Sequence, residues 1–124
     1  SGNLVFLSGQ VTIWNGEMRY QGKIGRDLTV DQGYDAARMC GLNLIAQVRA
    51  ACSGDLDRVK QVVKLGAFVN CVEDFKEHPN VVNGASDLMA EVFGDAGRCT
   101  RTNAGVPSLP LGFAVEIDGV FEIE

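Results

Sequence analysis

Apolar and polar residues follow clear periods along this chain, and the periods predict its elements. Residues 4–11 (LVFLSGQV) are apolar and β-favouring, and residues 12–20 continue this character around Asn15-Gly16. Asn-Gly supplies the two positive-φ positions of a type I′ turn, so the region predicts a β-hairpin.

Apolar residues recur at helical spacing after Thr29. Thr29 and Gln32 fit a capping box, and Ser53-Gly54 supplies a stop signal. We therefore predict a helix from about residue 30 to about Ala51. Its apolar stripe consists of Tyr34, Ala37, Gly41, Leu44, Ile45, Val48 and Cys52.

The second half of the chain predicts a strand, a helix and two more strands. Residues 56–72 carry apolar side chains on both faces, which is typical of an interior strand. One face holds Val63, Leu65, Ala67, Val69 and Cys71, and the other holds Val62, Phe68 and Val72. A helix over 78–93 has a stripe of Val82, Ala85, Leu88, Met89, Val92 and Phe93, and Gly94 ends it. Residues 99–110 and 113–123 predict the last strands.

The order ββαβαββ indicates an α+β fold in which two helices pack on one face of a mixed sheet. Residues 1–124 suit a single domain. The second face of such a sheet is partly apolar here, which favours association between subunits.

Composition narrows the possible functions. The 124 residues are 46% hydrophobic and 22% charged, as in ordinary globular domains. The net charge of −5 and the lack of any Lys or Arg run argue against a nucleic-acid partner. The sequence has no long apolar run, so we predict no membrane span and no membrane partner.

The four cysteines form no C-x-x-C pair, and the single histidine, His78, is distant from them in sequence, which argues against a metal site. Cys40 and Cys52 lie about 18 Å apart on one predicted helix, too far for a disulfide. We expect reduced thiols and a cytoplasmic location. Nearby Arg101 is expected to lower the pKa of Cys99. We interpret His78, which precedes a proline, as a surface turn residue.

Several segments resemble a known family in the same order along the chain. GNLVFLSGQV resembles the first core strand of the Rid family, also called the YjgF or L-PSP group. GDLDRVKQVVKLGAFVNCVEDF is similar to its middle strand, VVNGASDLMAEVFGDAGR to its second helix, and RTNAGVPSLP…AVEIDGVFEI to its C-terminal signature. NGASDL and SLPL are typical of a branch often labelled endoribonuclease-like.

The resemblance implies a chorismate-mutase-like fold and a homotrimer. In the family the sheets form a barrel-like core, and clefts lie between adjacent subunits. The deaminase branch hydrolyses reactive 2-imino or enamine acids to 2-keto acids and ammonia without a metal or organic cofactor. We therefore expect a small imino or keto acid as the partner and no cofactor.

The resemblance also implies site residues. Arg101 and Glu116 match the catalytic arginine and glutamate, and Arg101 also binds substrate. The other substrate-binding positions implied are Ser8, Gly9, Ser86 and Asn103. The family's cleft-lining N-terminal aromatic residue has no counterpart here, and we expect that segment to precede Ser1.

These residue types suit the chemistry. A guanidinium grips a carboxylate with two parallel bonds, and a carboxylate can hold a water and accept its proton. Strand alternation alone places Glu116 with Asp118, Val120 and Glu122 on a solvent face, so its catalytic and solvated interpretations both stay open. Two alternative functions also stay open: a non-catalytic module that binds small carboxylic acids, and an endoribonuclease, which the acidic composition opposes.

Overall fold

The computed structural model describes residues 2–124. A first strand and a small hairpin precede the first helix, and strands then flank the second helix. The elements are β1 (Leu4–Gln10), β2 (Ile13–Trp14), β3 (Glu17–Met18), α1 (Val30–Ala51), β4 (Val59–Asn70), α2 (His78–Phe93), β5 (Thr100–Val106) and β6 (Val115–Ile123). Short 3-10 turns lie at Leu56–Arg58, Gly94–Gly97 and Pro110–Gly112.

The main sheet has the strand order β1-β6-β4-β5. The β4–β5 pair is parallel and the other two pairs are antiparallel, so the sheet is mixed. Both helices cover the same sheet face, where the core of buried aliphatic residues lies. The predicted α+β class with two helices on one face of a mixed sheet is confirmed.

The N-terminal hairpin forms, but it is separate from the main sheet. Asn15 and Gly16 have φ angles of 50° and 79°, as the predicted type I′ turn requires. The expectation that residues 4–11 belong to this hairpin was wrong. β1 instead pairs with β6, with Leu4 opposite Glu122, and the hairpin is built from residues 13–18 alone.

Helix α1 begins and ends where the sequence predicts. The Gln32 amide donates to Thr29 Oγ1 over 3.1 Å, and the Thr29 amide donates to Gln32 Oε1 over 2.8 Å, which completes the capping box. Ser53 and Gly54, both at positive φ, turn the chain away from the helix.

Strand β4 lies between β6 and β5, as predicted for an interior strand. Its first half departs from regular alternation, because the register with β6 shifts between Val62 and Lys64. Val62 is therefore fully buried, whereas Val63 is 37% exposed. The predicted faces of these two residues were wrong, since one extra residue inverts the alternation that precedes it.

The two helices approach each other closely at glycines, and this approach fixes the position of α2. A Cβ on Gly84 would lie 2.0 Å from the Tyr34 carbonyl oxygen of α1, so only glycine fits there. A Cβ on Gly41 of α1 would lie 2.9 Å from Leu88 Cδ2 of α2 and 3.5 Å from the Ala85 Cα. The stripe prediction for α2 was wrong at Val92, which is 44% exposed, whereas the next residue, Phe93, packs against the core as predicted.

The sheet face opposite the helices, here called the open face, carries apolar side chains in contact with solvent. Phe6 is 66% exposed, Phe68 39% and Leu4 37%. Glu116, Asp118 and the other even-numbered residues of β6 lie between them, as the sequence predicts. Within residues 2–124, none of the helices is long and apolar enough to cross a bilayer.

Candidate functional site

Arg101 lies on the edge strand β5 and is held by the helix that crosses above it. Its Nη1 donates to Asn83 Oδ1 over 2.8 Å and to Ser86 Oγ over 2.9 Å. Its Nη2 donates to the Pro79 carbonyl oxygen over 3.4 Å. The structure thus brings Arg101 and Ser86, two of the predicted site residues, into direct contact.

The charge of Arg101 is not neutralised by these contacts. All three acceptors are uncharged, and no carboxylate in the described part of the chain forms an ion pair with this half-buried guanidinium. Three of the five N–H donors of an arginine are used, which leaves one on Nε and one on Nη2. Two donors and one positive charge are what a bidentate carboxylate requires.

Asn83 was not predicted from the sequence, although its amide oxygen makes the shortest of the three contacts to Arg101. Asn83 lies three residues before Ser86 on α2, and residues at that spacing share one helix face. This spacing is the signal that could have found Asn83. Asn103 follows on the same side of β5 as Arg101 and is half-buried, with Ala67 as its register partner.

Glu116 lies on β6, where it packs against Gly9 of β1. A Cβ at position 9 would come within 2.4 Å of Glu116 Oε2, so the carboxylate occupies the space that a side chain would fill. β1 changes register between Leu7 and Gln10, so the strand is irregular at Ser8-Gly9. Among residues 2–124, the Glu116 carboxylate has no hydrogen-bond or ion-pair partner.

The structure does not bring Arg101 and Glu116 together in one chain. Arg101 is in register with Leu65, which is fully buried under the helices, whereas Glu116 is in register with the exposed Phe68. Arg101 therefore belongs to the helix face of the sheet and Glu116 to the open face. Ser8 and Gly9 accompany Glu116, and Ser86 and Asn103 accompany Arg101.

Two opposing effects act on the thiol of Cys99. Burial raises its pKa above the ordinary value, and the opposing effect of the Arg101 charge is smaller. Arg101 therefore has the expected lowering effect on the pKa of Cys99, but the net pKa is raised because desolvation of the thiolate outweighs the nearby cation. All four cysteines are free.

A cavity of about 620 Å³ opens beside the N-terminus of α2. It borders His78, the residue before Pro79, whose carbonyl oxygen accepts a hydrogen bond from Arg101. His78 is half-buried in the cavity, with Nε2 at 3.5 Å from Cys71 Sγ. The interpretation of His78 as a surface turn residue was wrong, because α2 begins at this residue and turns its ring towards the end of β4. Over residues 2–124, no three side chains of His, Cys, Asp or Glu are grouped as metal ligands.

Comparison with known proteins covers nearly the whole chain. Residues 1–119 match the family described as "YjgF/chorismate mutase-like, putative endoribonuclease". The chain is also 47% identical to Protein TCP17 of Trypanosoma cruzi, over 99% of this chain and 77% of that protein.

Solved structures show the same fold. The protein Atu1372 of unknown function from Agrobacterium tumefaciens is 44% identical, with a TM-score of 0.98 over 100% of this chain and 78% of that one. A "putative endoribonuclease" from Shewanella oneidensis MR-1 is 40% identical, with a TM-score of 0.95 over 99% and 81% of the two chains. One from Thermotoga maritima is 25% identical, with a TM-score of 0.63 over 100% and 81%.

Proposed function

Because the chain belongs to the YjgF/chorismate mutase-like family, we propose that it hydrolyses reactive 2-imino or enamine acids to 2-keto acids and ammonia. The observation that supports this proposal most directly is the unneutralised Arg101. A half-buried guanidinium with two spare donors and only uncharged acceptors suits a small carboxylate ligand. The reaction takes place in a reduced, cytoplasmic setting and uses no cofactor.

Arg101 binds the substrate carboxylate in this proposal. Asn83 and Ser86 fix the guanidinium plane, so the Arg101 side chain loses little conformational freedom when the substrate binds. Asn103, two residues along the same side of β5, lies near the bound acid and orients its nitrogen. The carbon of the C=N group is then held in one place for attack.

Glu116 orients the attacking water. Its unpartnered carboxylate accepts a proton from the water while the oxygen bonds to the imine carbon. Glu116 passes this proton to the substrate nitrogen as the C=N bond becomes a single bond. The added hydroxyl then gives up its proton, which also reaches the nitrogen, and ammonia leaves as the C=O bond forms. Ser8 and Gly9 line this side of the reaction, where the missing side chain at Gly9 gives the carboxylate room.

The complete site requires two copies of the chain. Arg101 and Glu116 lie on opposite sheet faces, so one subunit supplies the carboxylate-binding half and its neighbour supplies the water-orienting half. The apolar open face supports this arrangement, because Phe6 and Phe68 gain burial when subunits associate. We propose a homotrimer in which open faces form the core and the sites lie in the clefts between subunits.

One alternative has its own supporting observation. The Arg101 cluster is complete within a single chain, and Glu116 is not part of it. A non-catalytic module that binds small carboxylic acids therefore requires only the Arg101 cluster and not Glu116. The name endoribonuclease attached to several relatives has no such support here, since the net charge is −5.

The test is keto acid release from imines generated in situ by an amino-acid oxidase. We expect the wild-type protein to accelerate release over buffer, and Arg101→Ala to lower kcat/KM by about 100-fold or more. Equal rates for wild type and buffer would contradict the deaminase proposal. Saturable pyruvate binding by calorimetry in that case, lost in Arg101→Ala, would support the binding module.

A further inference from the structure

The cavity beside α2 holds reactive groups that the proposed deamination does not use. Its lining includes Cys71, His78, Lys23, Glu73, Phe75 and Gly105. The cavity lies where β4 ends and α2 begins, at the far end of β5 from Arg101. At about 620 Å³ it has the size of a small-molecule site.

Cys71 and His78 have the geometry of a nucleophile and its base. The 3.5 Å separation between Cys71 Sγ and His78 Nε2 is within hydrogen-bonding range for sulfur. The ring of Phe75 packs edge-on against the His78 ring, with centroids 5.1 Å apart, and restricts its orientation. His78 is also the first residue of α2, where the helix dipole favours a negative charge on a neighbouring group.

Gly105 makes this contact possible. A Cβ on Gly105 would lie 2.5 Å from His78 Nε2 and 2.9 Å from Cys71 Sγ. Any side chain there would therefore displace the imidazole or the thiol. Substitution of Gly105 therefore perturbs the Cys71–His78 pair while both functional groups stay chemically intact.

Lys23 brings a positive charge to the same cavity. Its ammonium donates to Asn70 Oδ1 over 2.9 Å and to the Pro107 carbonyl oxygen, and both acceptors are uncharged. One ammonium N–H is left over from these two bonds. The Lys23 charge also acts on the Cys71 thiol, where it opposes the rise in pKa caused by burial. The resting group is therefore a neutral thiol that needs a base.

From this geometry we propose that Cys71 and His78 form a second reactive site, whose ligands are small carboxylic acids bearing an electrophilic carbon, such as α,β-unsaturated acids. Lys23 attracts the carboxylate, and Glu73 of the same lining opposes this attraction. The apolar surface of Phe75 borders the rest of the molecule. The site is separate from the Arg101 cluster and independent of the proposed deamination.

The reaction is a conjugate addition that needs no co-reactant. His78 Nε2 takes the proton from Cys71 Sγ, and the sulfur forms a bond to the β-carbon of the acid. The electron pair of the C=C bond moves to the α-carbon. The proton held by His78 then passes to that carbon, so the product is a thioether and all atoms are accounted for.

Two alkylating reagents of different charge test the proposal on the reduced, folded protein. Iodoacetate is a small carboxylate with an electrophilic carbon, and iodoacetamide is its neutral counterpart; with either, the S–C bond forms as iodide leaves. Peptide mass spectrometry follows each cysteine separately. We expect iodoacetate to label Cys71 about tenfold or more faster than the partly exposed Cys99 in the same molecule.

Variants identify the source of that reactivity. His78→Gln should lower the Cys71 rate about tenfold or more with both reagents, since the base is lost. Lys23→Met should lower the iodoacetate rate about threefold or more and leave the iodoacetamide rate nearly unchanged. If His78→Gln does not fold, Gly105→Ala decides, because it displaces the pair sterically and should also slow Cys71. Circular dichroism verifies folding of each variant.

The proposal is overturned if Cys71 reacts no faster than Cys99, or if the folded base variant reacts as fast as wild type. The carboxylate specificity is overturned if the ratio of the iodoacetate rate to the iodoacetamide rate is the same in wild type and in Lys23→Met. Cys71→Ser should leave keto acid release in the imine assay unchanged. The two proposals therefore fail or succeed separately.

Discussion

Arg101 and Glu116 point to opposite faces of one sheet. Arg101 shares the helix face with its register partner Leu65, and Glu116 shares the open face with Phe68. The two residues also lie on strands separated by β4, which adds about 10 Å between their backbones. A single chain cannot place both side chains on one water molecule.

This relationship predicts complementation between two inactive variants. Arg101→Ala and Glu116→Gln should each lose imine hydrolysis when assayed alone. Mixed in equal amounts, unfolded and refolded together, they should recover up to about one quarter of the wild-type activity, since about one cleft in four then receives both intact residues. Each variant refolded alone is the control. Mixed oligomers without any recovered activity would contradict a site shared between subunits.

Arg101→Lys separates charge from geometry at the carboxylate-binding half. Lysine keeps the positive charge but loses the paired donors and the fork that contacts Asn83 and Ser86. We expect KM for the imino acid to rise about tenfold or more, with little change in melting temperature. Arg98→Lys is the matched control, since Arg98 is an exposed arginine close by on the same segment. An unchanged KM would argue against bidentate binding.

Phe6→Ser tests association through the open face. The 66% exposed ring gains up to about 2–3 kcal/mol per subunit if the face is covered by a second copy. We expect sedimentation velocity to show a shift from the trimer towards the monomer. Val92→Ser removes an exposed apolar side chain from the outer surface of α2 and should leave the mass unchanged. A monomeric wild-type protein would remove the shared site altogether.

Two glycine substitutions should affect different properties: Gly9→Ala should lower activity, and Gly84→Ala should lower stability. Gly9→Ala collides only with the flexible end of the Glu116 side chain, so we expect stability within about 1 kcal/mol of wild type and activity lowered about tenfold as the carboxylate is displaced. Gly84→Ala collides with the Tyr34 carbonyl of α1 and should cost about 2 kcal/mol or more. Urea denaturation and the imine assay measure the two effects. Full activity in folded Gly9→Ala would argue against a role for Glu116.

Asp27 predicts a stability change in acid. The Arg26 side chain and the Lys23 backbone amide lower the pKa of this exposed carboxyl from 3.8 to about 2. A lowered pKa in the folded state stabilises the protein above the unfolded value and loses that effect as pH falls through the folded value. Between about pH 4 and pH 2, the melting temperature of the wild type should therefore fall by more than that of Asp27→Asn. Parallel melting curves of the two proteins across that range would contradict the effect.

Local signals predicted most of the fold. The Thr29–Gln32 capping box, the Asn15-Gly16 turn and the alternation of β6 each depend on a few neighbouring residues, and each is found where expected. The inverted faces of Val62 and Val63 escaped prediction because a bulge is set by the register with a partner strand. The separation of β1 from the hairpin likewise depends on pairing with a distant segment.

The candidate site was only partly accessible from sequence. A resemblance supplied Arg101 and Ser86, but only the crossing of α2 over β5 shows that Asn83 completes their hydrogen bonds. The pairing of Cys71 with His78 requires the chain to fold back between β4 and α2, and no periodic pattern encodes that turn. The opposite orientation of Arg101 and Glu116 emerges only when the register of β4 with both neighbours is known.

The pairing of Leu4 with Glu122 has a consequence for synthesis on the ribosome. Every residue between them must be translated before β1 can dock, so β1 waits unpaired while α1, β4 and α2 are made. The half of the site formed by Gly9 and Glu116 is therefore assembled after the half that holds Arg101. During that interval Phe6 stays on an unprotected strand, and a chaperone or a second nascent chain has its best opportunity to capture the protein.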